Sequence, residues 1–465
     1  MSVVEVQQSP PLKTLPMRLI FLLSFGMHSR FMRVLACCLQ LGVCLSARAD
    51  DWPQFRGPTG DGISTATNVP LVWNQTNNLA WKTSLPGSGR SSPVILGERI
   101  WLTTAFESGI RTYTEGPGQM RKAERVELGV VCLDRQTGKQ LFCVRVLSVT
   151  NPAAVNSLNS YATPTPVVEP GRVYGEFGSF GTVCLDAANG KVLWQRRFAV
   201  DDAHGPSSSP VLYRNLLILT RDGRDRQFIV ALDKMTGETV WQRDRPPIDT
   251  PIHEFRKAFS TPLIIESQGR TQLVSVGAQW MVAYEPETGN ELWRVNDLKG
   301  ESGAPRPVYG HGMVFYSTGV INGHPQLWAV RTDGLGDVTD THVAWKLTTQ
   351  LGFMPSPLLL GDKLYLLTDE GFIACVDANT GKTIGKARAG GTYAASPVYA
   401  DGRIYLFSRD AKTMVFEAGP ELKLLAENQL SGIVFATPAI LDSEILLRTD
   451  TELYCLVRGP AEKNE

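Results

Sequence analysis

The residues of this sequence best placed to bind a ligand stand just before a recurring Ser/Thr-Pro-aliphatic step, where they differ from repeat to repeat. Specificity usually arises in variable loops that a regular scaffold positions. Three cations among them would form a cationic funnel for an anionic ligand, and ordinary solvated surface charge is the alternative. The candidate ligand residues are Arg90, Tyr161, His204, Lys257, Arg306 and Tyr393.

Catalytic and metal-binding patterns are not found in the sequence. The six histidines have no pair at metal-ligand spacing, and His253-Glu254 lacks a second histidine four residues later. Asp222 to Asp225 lacks the ligand alternation of a calcium loop. Neither a Gly-x-Ser-x-Gly elbow nor a phosphate-binding glycine loop occurs. We therefore predict no catalytic residue and no metal ligand.

A repeat positions the candidate residues. The Ser/Thr-Pro step recurs eight times, with most gaps between 40 and 52 residues and one of 73, at Pro93, Pro166, Pro210, Pro262, Pro307, Pro357, Pro397 and Pro438. A period of about 40–50 residues is typical of propeller blades. We expect the hydroxyls before these prolines to satisfy backbone groups in a crowded hub. They belong to Ser92, Thr165, Ser209, Thr261, Ser356, Ser396 and Thr437, and Arg306 is the exception.

Each repeat also carries a hairpin signature. An apolar strand ends at an acidic residue, a Thr/Asn-Gly corner follows, and the next strand brings a large apolar residue that we expect to pack against the neighbouring blade. The residues that define this signature are Asp134, Gly138, Asp186, Gly190, Trp194, Asp233, Gly237, Trp241, Gly289, Trp293, Trp345, Asp377 and Gly381, with Phe142 at the tryptophan place of the first repeat.

The sequence therefore predicts an all-β fold, an eight-bladed β-propeller of four-stranded antiparallel blades. Leu79 to Lys82 looks like a tryptophan-bearing strand without its hairpin, and the last repeat ends at Leu456 without such a strand. We expect the N-terminal strand to complete the final blade and remove an exposed edge. Seven blades is the alternative count.

This pattern resembles the pyrroloquinoline-quinone (PQQ)-type propeller repeat of bacteria over about residues 71–458. The family includes quinoprotein alcohol and glucose dehydrogenases and the non-enzymatic outer-membrane-barrel assembly lipoprotein BamB. Asp51 to Pro58 also looks like the opening of secreted members. The resemblance implies the fold, and a shared fold does not carry over a reaction.

The resemblance also implies what a quinone dehydrogenase needs: a tryptophan floor, calcium ligands and commonly a disulfide between adjacent cysteines. The one adjacent pair, Cys37-Cys38, lies in the predicted leader, and no Cys-x-x-Cys-His haem motif occurs. We therefore predict an exported, non-catalytic binding or scaffold protein that acts through its rim loops or funnel and has no cofactor. The alternative is an atypical PQQ-dependent oxidoreductase with calcium, which no matching site residue supports.

Charge and the N-terminus bear on partners and location. Residues 50–465 hold 41 basic and 45 acidic residues without a basic stripe, so we predict no nucleic-acid binding.

Arg30 and Arg33 precede an apolar run, and Ala47-Arg48-Ala49 fits signal-peptidase cleavage, which predicts a periplasmic or secreted protein. A lipoprotein through Cys37 or Cys44 and a membrane anchor are the weaker alternatives.

The expected organisation is a signal peptide at 1–49, an N-terminal segment at 50–70, the propeller at 71–458 and a polar tail at 459–465. The expected partner is a protein, peptide or glycan, with a membrane-associated complex as one setting, and the expected state is a monomer. Cys132 and Cys143 lie across one predicted hairpin, where either a bridge or buried thiols would fit. The inserted segment 107–124 is expected to be a mobile loop, with a partner-binding loop as the alternative.

Overall fold

Short antiparallel strands account for nearly all of the regular structure. The computed structural model describes residues 51–115, 118–202, 204–297, 303–321, 324–349 and 351–459. The predicted signal peptide at 1–49 lies outside these residues, and so does the tail after Gly459. Among the described residues the helical structure consists of two single 3-10 turns, Gly178–Phe180 and His253–Arg256, and neither resembles a membrane-spanning helix.

The first half of the chain forms β1 and the first three sheets. β1 (Leu79–Ser84) comes first in the chain. The first sheet contains β2 (Val94–Leu96), β3 (Arg99–Ser108), β6 (Arg125–Asp134) and β7 (Gln140–Thr150). The inserted hairpin, β4 (Arg111–Glu115) and β5 (Gly118–Lys122), forms a separate three-stranded sheet with the short β8 (Val155–Asn156). The second sheet contains β9 (Val167–Glu169), β10 (Arg172–Glu176), β11 (Thr182–Asp186) and β12 (Val192–Arg196). The third contains β13 (Val211–Tyr213), β14 (Leu216–Asp222), β15 (Gln227–Asp233) and β16 (Thr239–Asp244).

The fourth to sixth sheets continue the pattern. The fourth contains β17 (Leu263–Ser267), β18 (Arg270–Val276), β19 (Trp280–Tyr284) and β20 (Glu291–Asn296). The fifth contains β21 (Val308–Gly310), β22 (Met313–Ile321), β23 (His324–Arg331) and, after β24 (Gly336–Asp337), β25 (Val343–Leu347). The sixth contains β26 (Leu358–Leu360), β27 (Lys363–Leu367), β28 (Phe372–Asp377) and β29 (Thr383–Arg388). β24 pairs in parallel with β20 as a fifth strand of the fourth sheet.

The last two sheets complete the ring. The seventh contains β30 (Val398–Ala400), β31 (Arg403–Phe407), β32 (Lys412–Glu417) and β33 (Leu424–Gln429), and the eighth contains β34 (Ala439–Leu441), β35 (Glu444–Arg448) and β36 (Glu452–Val457). β1 pairs antiparallel with β36, with Trp81 opposite Cys455, as predicted. In the described residues, eight sheets of four or five strands thus correspond to the eight repeats. The propeller architecture is confirmed.

The core lies between neighbouring sheets, and the repeated tryptophan joins them at the periphery. The indole of Trp241 packs on Gly289 of the next blade and donates its N–H to the Pro286 carbonyl at 2.9 Å. A Cβ at Gly289, where φ is +70°, would lie 2.5 Å from that ring, so only glycine fits the contact. Equivalent indole-to-carbonyl bonds of 3.0–3.1 Å link Trp81 to Arg135, Trp194 to Lys234 and Trp345 to Ala378. The predicted blade-to-blade packing is confirmed at these seams.

Trp293 makes a different contact, because the fifth blade lacks the acidic and Thr-Gly hairpin that would receive its indole. Its N–H donates instead to the Gln272 side chain within its own blade at 2.8 Å. At the seam between the sixth and seventh blades, Gly385 stands at the tryptophan place, and a Cβ there would lie 1.7 Å from the Pro420 carbonyl. Backbone packing therefore replaces indole packing at this seam.

The cysteines of the described chain are free thiols. Four of them, Cys132, Cys184, Cys375 and Cys455, are buried. Cys132 lies opposite Phe142, and Val131 opposite Cys143. Because neighbouring residues of a strand alternate between faces, the two thiols project from opposite faces of the blade and do not form the bridge considered above. Burial raises the pKa of the Cys132 thiol to about 12, which favours the role of a small buried hydrophobe.

The inserted segment is ordered, contrary to the expectation of a loop without structure. β3 and β6 pair as far as Ser108 and Arg125, and β4 and β5 then form a hairpin whose second strand pairs with β8. Threonine and tyrosine at 112–114 are good strand formers, and this local propensity outweighs the polar composition on which the expectation rested.

Candidate functional site

A belt of hydrogen bonds forms the hub, at the residues that precede the repeated prolines. The backbone N–H of Ser92 donates to the Thr165 hydroxyl, and the N–H of Thr165 donates to the Ser209 hydroxyl, each at 3.0 Å. The same bond, at 2.9–3.0 Å, links Ser209 to Thr261, Arg306 to Ser356, Ser356 to Ser396 and Ser396 to Thr437. Six of the seven predicted hydroxyls thus accept an N–H of the preceding blade, as the sequence predicted.

The N-terminal segment closes one end of the central channel. Trp52 exchanges backbone hydrogen bonds with Ile95 in the innermost strand of the first blade, and Ile63 forms a bridge to Tyr399 in that of the seventh. Arg56 is fully buried and donates to the Pro357 carbonyl at 2.7 Å. The segment therefore crosses the hub and places Phe55 at the bottom of the channel.

Arg306 anchors this segment and does not line the funnel. Its Nε donates to the Pro262 carbonyl at 3.1 Å and its Nη1 to the Phe55 carbonyl at 2.8 Å. Burial lowers the pKa of the Arg306 guanidinium to about 10, so the group stays charged at neutral pH. The one repeat without a hydroxyl before its proline thus has a cation there. This cation binds the N-terminal segment, 251 residues earlier in the sequence.

On the other side of Phe55 the channel opens as a funnel of about 610 Å³, including the solvent at its mouth. The belt hydroxyls and Phe55 form its floor, and aromatic, aliphatic and one cationic side chain form its wall. The wall residues are Arg90, Leu158, Phe259, Met354 and Phe435. Among the described residues, none of those that line the funnel is a carboxylate. Such a mixture of apolar surface with a few polar groups is typical of small-ligand and peptide sites.

Arg90 is the predicted ligand residue that the structure places in the funnel wall. Its guanidinium lies 3.6 Å from the centroid of Phe435, and its Nη2 donates to the Ser157 carbonyl at 2.7 Å. Burial, together with the neighbouring cations Arg121 and Arg409, lowers the pKa of Arg90 to about 9. Among the described residues its Nη1 has no hydrogen-bond partner. Arg90 is therefore held in place by its contacts, and one of its N–H groups has no acceptor in the described part of the chain.

The structure places the other predicted residues beside the funnel. Lys257 is buried and pairs with the Asp202 carboxylate. Tyr161 is fully buried, and its hydroxyl accepts the Ala123 N–H at 3.1 Å. Tyr393 packs in the core between the sixth and seventh blades. His204 stacks on Phe259, one of the wall residues, at 6.4 Å between ring centroids.

The described lining of the funnel does not offer the ligand set that calcium prefers. Calcium takes six to eight oxygen ligands with several carboxylates among them, whereas the lining offers hydroxyls, arginine and hydrocarbon. The described part of the chain also has no cluster of three or more His, Cys, Asp or Glu side chains that would hold a metal. The aromatic floor and Arg90 are the two features that a planar, carboxylated molecule would use.

The rim of the funnel carries exposed apolar side chains. One of them, Phe353, belongs to the variable residues before the repeated prolines, whereas Leu158, Ile252 and Ile433 were not identified from the sequence. They lie on four of the loops that connect one blade to the innermost strand of the next, and each is 40–45% exposed: Leu158, Ile252, Phe353 and Ile433. The floor residue Phe55 and the wall residue Phe259 were also missed. Phe259 stands three residues before Pro262, and this position could have indicated it. Phe55 lies in the N-terminal segment, outside the repeats, where no such signal exists.

Comparison with known proteins agrees with this geometry. A family model described as "Outer membrane protein assembly factor BamB" matches residues 125–332 and 277–420. The tetrathionate hydrolase of Acidithiobacillus ferrooxidans is 22% identical over 71% of this chain and 65% of its own length. The outer membrane protein assembly factor BamB of Alkalilimnicola ehrlichii is 25% identical over 44% of this chain and 50% of its own. The chain thus spans between half and two thirds of these relatives.

A solved structure, the quinohemoprotein alcohol dehydrogenase from Comamonas testosteroni, superposes with a TM-score of 0.58 at 13% identity. The superposition covers 91% of this chain and 82% of the dehydrogenase. At this identity the likeness shows the fold alone. The family match over residues 125–420 agrees with this fold and with the recurring hairpin signature. The chain therefore belongs to the BamB-type family of PQQ-like β-propellers.

Proposed function

We propose that this chain is an exported, non-catalytic binding protein that holds a protein or peptide partner on its funnel face. The observation that carries the proposal is the ring of apolar side chains at the funnel rim, Leu158, Ile252, Phe353 and Ile433. Large exposed apolar patches mark interaction sites, and these four side chains stand on loops at the same end of the blades as the aromatic-lined funnel. The match to a family described as an outer membrane protein assembly factor supports a protein partner.

The chemistry of the wall favours a peptide or protein segment over a glycan. Phe259, Phe435 and Met354 offer apolar surface, and Arg90 offers one charged donor. An extended segment with one acidic and several apolar side chains complements this set, because the apolar groups displace water and the carboxylate meets the guanidinium. Two further apolar side chains are exposed at the inserted hairpin β4–β5: Tyr113 within β4 and Ile110 just before it. The hairpin therefore extends the proposed binding surface.

Export remains part of the proposal. Arg30, Arg33 and the apolar run up to Leu45 form the leader, with cleavage after Ala49. N-terminal sequencing of the protein recovered from the periplasm or medium tests this directly. A mature chain that begins at Asp50 supports the proposal, and a cell-associated protein that keeps residues 1–49 contradicts it.

Selection from a random-peptide phage library on the purified mature protein tests the binding function. We expect enriched peptides that lose binding to Leu158→Asp and Ile433→Asp. Binding should persist in Leu193→Asp, which introduces the same charge at an equally exposed leucine on the outer strand of the second blade. If no peptide is enriched, or if Leu193→Asp weakens binding as much as the rim variants do, the proposal is wrong.

The second candidate is a PQQ-dependent oxidoreductase with an atypical site. It is favoured by the aromatic floor at Phe55 and by Arg90, which would hold a carboxylate of the quinone. Titration of the mature protein with PQQ and calcium, followed by tryptophan fluorescence, separates the candidates. We expect no saturable quenching beyond the inner-filter control. Saturable quenching that is lost in Arg90→Gln would favour the oxidoreductase.

A further inference from the structure

A second cavity lies at the seam between the eighth and first blades, and it is rich in arginine. It holds about 610 Å³, including the solvent at its opening. Arg90 comes from the loop before the first blade, Arg121 from the inserted hairpin β4–β5, and Arg448 from the end of β35. Ser88, Thr449 and backbone at Gly89 contribute further polar groups to its wall.

Arg448 is a buried cation without a carboxylate partner in the described chain. Only 2% of the residue is exposed, and its Nη1 donates to the Ser91 hydroxyl at 2.6 Å and to the carbonyls of Ser91 and Thr103 at 3.1 Å. Its Nε is buried and has no hydrogen-bond partner among the described residues. Burial alone lowers the pKa of Arg448 to about 9, so the charge persists at neutral pH. A buried charge of this kind is costly unless an anion compensates it.

The charges around the cavity do not balance. Arg90, Arg121 and Arg448 line it, and Arg409 lies on the Phe435 ring at 4.8 Å, beside Arg90. Among the described residues that line the cavity or pair with its arginines, two carboxylates stand against these four cations. Glu107 pairs with Arg121 at 2.7 Å and accepts the Ser88 hydroxyl, and Asp450 accepts the Ile433 N–H. The site therefore keeps an excess of positive charge next to donors that have no acceptor.

We propose that this cavity is a binding site for an anionic oxygen group, either a tetrahedral oxyanion or a carboxylate, held by Arg90, Arg121 and Arg448. Guanidinium groups recognise both kinds of anion by paired N–H donors, and several converging arginines favour a group with more than one acceptor oxygen. Arg90 and Arg448 both line the cavity, and each keeps a buried N–H donor, Nη1 and Nε respectively, without a partner among the described residues. The ligand compensates the buried charge and ties the inserted hairpin to the seam.

Isothermal titration of the mature protein with sodium sulfate, sodium phosphate or sodium acetate tests the site, with sodium chloride at matched ionic strength as the reference. We expect saturable binding of one anion per chain that is weakened in Arg90→Gln and Arg121→Gln. A hydrogen bond to a charged group contributes about 1.5–3 kcal/mol, so each variant should weaken binding roughly 10- to 100-fold. Preference for sulfate or phosphate over acetate identifies an oxyanion, and the reverse preference a carboxylate.

Arg145→Gln is the matched control, because Arg145 is an exposed arginine that pairs with Glu127 and lies on Phe106, outside the cavity. It removes the same charge and should bind the anion as wild type does. Circular dichroism checks that the variants are folded. If no probe anion gives a saturable signal, or if Arg145→Gln loses as much affinity as Arg90→Gln, the site does not exist as proposed.

Discussion

Two neighbouring serines allow a direct measurement of what the hydroxyl belt contributes to stability. The Ser209 hydroxyl accepts the Thr165 N–H at 3.0 Å, and both residues are at most 5% exposed. In Ser209→Ala the buried N–H keeps no acceptor, which costs about 1–3 kcal/mol. The hydroxyl of the adjacent Ser208 is also buried but has no partner among the described residues. Ser208→Ala therefore leaves the free energy of unfolding unchanged or raises it.

Equilibrium urea unfolding of the two variants and wild type gives the free energies, provided that unfolding is reversible. Native-state hydrogen exchange at the Thr165 amide adds a local readout, because loss of its acceptor should speed exchange in Ser209→Ala and not in Ser208→Ala. Equal destabilisation by both substitutions would contradict a specific contribution of the belt hydrogen bonds to stability. So would a neutral Ser209→Ala with unchanged exchange at Thr165.

Three further predictions concern the seams, a buried acid and the N-terminal segment. Trp241→Ala should lower the free energy of unfolding by about 3–5 kcal/mol. Trp241→Phe should lower it by about 1 kcal/mol, because phenylalanine keeps the packing and loses only the hydrogen bond to the Pro286 carbonyl. Thermal or urea unfolding measures both values. Burial raises the pKa of Asp297 to about 7, so this carboxyl is protonated in the folded state at pH values where the unfolded chain is ionised. Stability should therefore fall by a few kcal/mol as the pH rises from about 4 to about 7. Asp297→Asn should remove this fall, and urea unfolding across that interval checks it; equal slopes for variant and wild type would contradict the shift. Arg306→Met should loosen the N-terminal segment, so that trypsin cleaves after the now accessible Arg56 while wild type resists there, as mass spectrometry of the fragments would show.

The repeat made most of the fold predictable from the sequence. The Ser/Thr-Pro spacing predicted the sheets of four or five strands, and the unmatched strands at Trp81 and Cys455 predicted the pairing of β1 with β36. Both depend on local patterns that recur, so each repeat supports the assignment of the others. The belt hydroxyls were also predictable, because a hydroxyl beside proline in a crowded hub has few other partners.

The site was less predictable, because it depends on where side chains turn and on contacts between distant segments. Arg306 contacts Phe55 across 251 residues, and nothing near either residue in the sequence indicates the other. Lys257 occupies the position expected of a funnel residue, yet its ammonium group pairs with Asp202 beside the funnel. The ordered hairpin β4–β5 was missed because its strands have no counterpart in the other repeats.

Hydrogen exchange of the mature protein with and without a phage-selected peptide is the most direct test of the funnel face as the binding surface. We expect slower exchange in the loops before the innermost strands, above all around Leu158 and Ile433. The outer strands and the N-terminal segment around Arg56 should be unaffected. Protection confined to the outer strands, or to the end of the channel that the N-terminal segment closes, would contradict the proposed function.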